Sequence, residues 1–166
     1  MTLQNSIHTK AHAAEQPRAF PFRPFLSISG ARSLLPGLDE DDVIDLVESR
    51  RVEVAFDISL GILGRRRELR ILPAALDFYK QHGGKKTSAW DWPRITQEIL
   101  NGYRLDFING MDMRLLLNCS GTQINTLIAV GRMALAPGSI CRSGPNGSPR
   151  VLLNSFLAWL KRRKIF

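Results

Sequence analysis

Ser120-Gly121-Thr122-Gln123-Ile124-Asn125-Thr126-Leu127-Ile128-Ala129-Val130-Gly131-Arg132-Met133 is the stretch on which the fold turns. Ile124, Leu127 and Ile128 fall at i, i+3 and i+4, the spacing that gathers apolar side chains on one helical face. The spacing predicts a helix over 120–130 whose other face is polar and uncharged. Upstream, Asp112 to Leu116 reads as a short helix, separated from it by Asn118-Cys119. Downstream, Met133 to Ile140 reads as a strand, with Pro137 marking it as an edge or broken one. A Gly144-Pro145-Asn146-Gly147 turn, a second strand over Arg150 to Leu153 and a closing helix over Ser155 to Arg163 complete the order.

The same order occurs earlier in the chain. Moving residues 26–83 forward by 81 positions, without a gap, sets Leu46-Val47 on Leu127-Ile128, Arg51-Val52 on Arg132-Met133 and Ile71-Leu72 on Leu152-Leu153. Other columns disagree, such as Phe56 on Pro137. In this first copy Asp39 to Glu48 opens with an acidic turn and predicts a capped amphipathic helix over 39–49. A short helix near Ala31 to Leu35 precedes it. A strand over 52–58, a glycine-containing turn, a strand over 69–72 and a helix over Ala74 to Lys80 follow.

Four segments result: a flexible arm at 1–25 with three prolines, a first folded half at 26–83, a linker with a helix at 84–104 and a second folded half at 105–166. In the linker helix, Trp90, Trp92, Ile95, Ile99, Leu100 and Tyr103 form an apolar stripe. Core packing is the plain reading of such a stripe, and dimerisation the alternative.

Order of helix, turn, helix, glycine-tipped hairpin and closing helix resembles the small winged helix-turn-helix domains. Thr122-Gln123-Ile124, Gly131-Arg132-Met133 and Ser155-Phe156-Leu157-Ala158-Trp159-Leu160 make the second half similar to the MerR and phage-excisionase type. The first half resembles the family only through the repeat, and Arg50 stands where the second half has Gly131. The resemblance implies duplex DNA as partner, with the second helix in the major groove and the wing along the backbone or minor groove. The expected fold class is therefore mainly α with small β wings, an α+β chain of two tandem winged helix-turn-helix domains.

Charge separates the halves. Of 23 Lys+Arg and 15 Asp+Glu in 166 residues, segment 26–83 nets −2 and segment 105–166 nets +6, within a total of +8. A helix bearing Asp39, Glu40, Asp41, Asp42, Asp45 and Glu48 is repelled by phosphates. Ser120, Thr122, Gln123, Asn125 and Thr126 are donors and acceptors of the kind that read base edges or bind phosphates, with a solvated polar face as the alternative. Arg132 lies just past the helix over 120–130, Arg142 and Arg150 flank the glycine-rich hairpin, and the run of Lys161, Arg162, Arg163 and Lys164 ends the closing helix. There, cations also answer the helix dipole. Arg65, Arg66 and Arg67 lie at the expected wing tip of the first half.

Catalytic signals are weak, and the reading is of a non-enzyme. His8, His12 and His82 have no ligand spacing with Cys119 or Cys141, no phosphate-cradling loop is present, and neither a cofactor nor a metal is expected. Two cysteines are too few for a disulfide framework, and no apolar run is long enough to span a bilayer, so a soluble cytoplasmic, nucleoid-associated protein without a membrane partner is expected. The function expected is DNA binding by a transcriptional regulator. The alternatives are an excisionase-like recombination factor of a mobile element, and an adaptor that binds protein, or a second copy, through the acidic helix 39–49.

Overall fold

The computed structural model describes residues 22–60, 67–85, 90–139 and 148–166. Ser27 starts α1 (Ile28–Arg32) by accepting the Gly30 N–H on its hydroxyl at 3.0 Å. Asp39 and Asp42 form a reciprocal capping box, each carboxylate accepting the other's backbone N–H at 2.8 Å, and so begin α2 (Glu40–Glu48). Val43, Leu46 and Val47 are the buried face of α2, as their spacing dictates. Strands β1 (Ala55–Asp57) and β2 (Leu69–Ile71) pair antiparallel, and Pro73 at the first turn opens α3 (Pro73–His82). Gly83, at φ +63°, ends it.

Asp91 caps α4 (Trp92–Leu100), which turns Ile95 and Ile99 inward; the stripe on the linker helix is core. Strand β3 (Phe107–Asn109) leads into α5 (Gly110–Leu117), with Asn109 as its cap. Ser120 caps α6 (Gly121–Val130), and β4 (Arg150–Leu152), α7 (Leu153–Arg163) and β5 (Lys164–Ile165) follow. The result is an α+β fold of helices with one three-stranded and one two-stranded antiparallel sheet.

The 81-residue offset holds in three dimensions for several elements. Leu26 bridges Ile71, and Phe107 pairs with Leu152, the same two positions moved on by 81. The offset also carries β2 onto β4 and the start of α2 onto the start of α6. It slips at the corner after the second helix. Arg50 and Arg132 are the residues with positive φ, at 60° and 50°, so α6 runs one residue further than α2 before turning.

Four expectations change. The strand expected over 133–140 is reduced to one bridge, Leu135 to Val151, flanked by the Ala136 N–H donating to the Arg150 carbonyl at 2.8 Å. Pro137 has no N–H and closes that ladder. The arm expected over 1–25 ends earlier, because Phe22 and Phe25 are buried, and Phe25 stacks on Phe56 with 5.1 Å between ring centroids. Residues 1–21 lie outside the described residues. Lys164, expected within the basic end of the closing helix, belongs to β5, which returns to pair with β1 of the first half. Strand β3 was not expected at all.

The halves share one core. Buried residues from Phe22 to Leu160 form a continuous apolar cluster, each large member contributing about 1.5–3 kcal/mol. Backbone also crosses the boundary, with the Phe25 N–H donating to the Leu116 carbonyl at 2.8 Å.

Candidate nucleic-acid interface

Helix α6 is fixed from below by Ile124, Leu127 and Ile128, all buried. That burial sets which polar side chains face outward. Thr122 and Ser120 are exposed, whereas Gln123, Asn125 and Thr126 are half-buried. Ser120 is engaged as the cap, its hydroxyl accepting the Gln123 N–H at 3.2 Å. Thr126 donates its hydroxyl to the Thr122 carbonyl at 3.1 Å. The Asn125 side-chain oxygen is buried and has no hydrogen-bond partner among the described residues. The fully exposed residues of α6 are thus fewer than the sequence suggested, Thr122, Ala129 and Val130, with Gln123, Asn125 and Thr126 half-buried beside them.

Gln123 departs furthest from the open reading face expected of it. Its amide Nε2 donates to the carboxylate of Glu68, the residue just before β2 of the other half. Beside it, Arg70 donates from Nε to the Leu117 carbonyl at 2.7 Å, and from its terminal nitrogens to the carbonyls of Leu69 and Asn118, each at 3.0 Å. Arg70 also lies 4.0 Å from Glu68. Burial pulls the Arg70 pKa below the usual arginine value, and the neighbouring Glu68 and Cys119 oppose that shift. Arginine remains charged under such a shift. Burial pushes the Cys119 thiol up to about 11 against the opposing charge of Arg70, so at neutral pH it is a thiol and not a nucleophilic thiolate.

Sequence reasoning missed Glu68 and Arg70. They flank Leu69 at the start of β2, a pattern identical to a solvated strand face. Only the packing of β2 on the α5–α6 turn distinguishes them.

The cations are distributed unevenly. Arg132, Arg150, Lys161 and Arg162 are exposed and enter no ion pair among the described residues. The Arg150 guanidinium lies over Phe107 at 5.3 Å from the ring centroid and the Lys161 ammonium over Trp92 at 5.9 Å, so aromatic faces neighbour their charged groups. Arg163 is half-buried against Trp159. In the first half, Arg67 is paired with Glu48 at 3.3 Å and Asp57 at 3.2 Å, carboxylates that compete with any phosphate for it. Arg65, Arg66, Arg142 and the glycine-rich turn at 144–147 lie outside the described residues. Helix α2 keeps Glu40, Asp41, Asp45 and Glu48 exposed.

No three His, Cys, Asp or Glu side chains gather as a metal site among the described residues, and no described helix is long and apolar enough to cross a membrane. In comparisons with known proteins, the chain matches no family model, no curated protein and no solved structure.

Proposed function

We propose that this chain is a DNA-binding protein of two winged helix-turn-helix repeats joined into one body, acting as a transcriptional regulator with its second half as the principal DNA contact. The observation that carries the reading is the set of exposed cations on that half: Arg132, Arg150, Lys161 and Arg162, with no carboxylate neutralising them among the described residues. Polyanion binding releases condensed counterions in proportion to the phosphates such cations neutralise. The helix–turn–helix order of α5 and α6 supports a duplex partner. Because the repeats share a core, they meet DNA as a single unit, and linker length does not set the spacing between contacts.

The test is binding of the full chain to random duplexes, with selection, across a salt series. A recovered motif together with a steep salt slope supports a sequence-reading regulator. Salt-sensitive binding without a motif reduces the second half to a non-specific anchor. Absence of DNA binding favours the adaptor reading, in which the exposed acidic face of α2 meets a protein partner or a second copy.

A further inference from the structure

We propose that Glu68, the residue before β2 of the first half, is a specificity-determining residue of α6, acting by orienting Gln123, and that Arg70 on β2 positions the turn from which α6 starts. The inference rests on the DNA-binding reading above and adds to it which base is read and how.

A glutamine side chain carries an acceptor oxygen and two N–H donors on a flexible stem, and freezing that stem on a ligand costs conformational entropy. In this fold one N–H of Gln123 is already given to the Glu68 carboxylate. The side chain is therefore held before any ligand arrives. One N–H and the carbonyl oxygen remain, a donor and acceptor pair that complements N7 and N6 of adenine in the major groove. The tie is charge-assisted, stronger than a neutral hydrogen bond.

A carboxylate beside a DNA-facing helix would ordinarily repel phosphates. Here Arg70 stands 4.0 Å from it, with its side chain only 12% exposed, and balances the charge. Its other bonds serve the same helix. The carbonyls of Leu117 and Asn118 that it holds at 2.7 and 3.0 Å are those left open at the end of α5. Asn118 turns the chain with φ 50°, and Ser120 caps α6 two residues later. The start of β2 and the residue before it thus fix both the start of α6 and the tip of Gln123.

The test is motif selection from random duplexes with the full chain, unaltered and as Glu68→Ala, Glu68→Gln and Gln123→Met, with the fold of each followed by circular dichroism. Gln123→Met preserves stem volume and removes the amide. The unaltered protein is expected to prefer adenine at one position by about tenfold, as a modest bidentate contact gives. Glu68→Ala and Gln123→Met should lose that preference to within about twofold. Glu68→Gln should keep it, because its amide oxygen accepts the same bond. Retention of the adenine preference in Glu68→Ala or Gln123→Met, or a motif without such a position, overturns the inference alone. Absence of any motif in the unaltered protein overturns the DNA-reading function and this inference with it.

Discussion

Gly131 backs directly onto the indole of Trp159: a Cβ added at 131 would stand 2.8 Å from both Cδ1 and Nε1 of that ring and 2.5 Å from the Leu127 carbonyl oxygen. Its φ of −71° is open to any residue, so close approach, not backbone freedom, requires glycine here. The left-handed conformation belongs to Arg132, at φ 50°. Gly131→Ala should destabilise the fold by about 1–3 kcal/mol, the usual cost of overpacking a rigid site. Urea denaturation should show a lower midpoint with an unchanged slope. An unshifted midpoint would mean that Trp159 yields freely.

A single unfolding transition is expected. All three tryptophans, Trp90, Trp92 and Trp159, lie outside residues 26–83, so fluorescence follows the linker and the second half while far-ultraviolet circular dichroism follows both halves. A shared core makes the two curves coincide in urea. Separated midpoints would show that the halves unfold independently.

Cys119 should react slowly with a thiol reagent in the native state. With its pKa pushed up to about 11, roughly one molecule in a thousand carries the thiolate at pH 8. In a Cys141→Ser background, labelling should accelerate on adding urea, and in the native state only as the pH climbs towards 11. Rapid native labelling near pH 8 would contradict the burial of this site.

Asp57 makes the fold sensitive to acid. Burial acts to raise its pKa, but bonds from Ser59 and the bond and charge of Arg67 outweigh it and hold the carboxyl below its usual value. A depressed folded pKa contributes stability that is complete above the unfolded value, about 3.9, and is lost as pH falls through the folded one. Asp57→Asn should therefore reduce stability at pH 7 and flatten the decline below about pH 4. An identical acid limb in the variant would remove Asp57 as its source.

If the chain binds DNA as proposed, Lys161→Gln and Arg162→Gln should weaken that binding by similar factors on all sequences and lower the salt slope by about one each. Arg67→Gln, which removes a cation already tied to Glu48 and Asp57, should leave that slope unchanged. Equal effects from all three would assign the binding to net charge alone.

Local signals in the chain located most of the helices and the pair β1–β2. The acidic turn at Asp39 to Asp42, Pro73, Asp91 and the apolar spacing of Ile124, Leu127 and Ile128 act within a few residues of themselves, and helices stand where they indicate. Strands β3 and β5 were illegible because each is two or three residues long and exists through partners far away in sequence, Phe107 with Leu152 and Ile165 with Ala55. The candidate site was legible in its cations and illegible in its geometry. Gln123 reads as an exposed polar residue on a helix until β2 is brought beside it.

Pairing of β5 with β1 also bears on how the protein is made. Residues 164 and 165 leave the ribosome about a hundred residues after Ala55 and Phe56, which they cover. At typical synthesis rates of 5–20 residues per second, β1 waits roughly 5–20 seconds with one edge open. An open edge is a template for another nascent strand. The cationic Lys164 and the apolar Ile165 therefore act as a late-arriving cover for that edge.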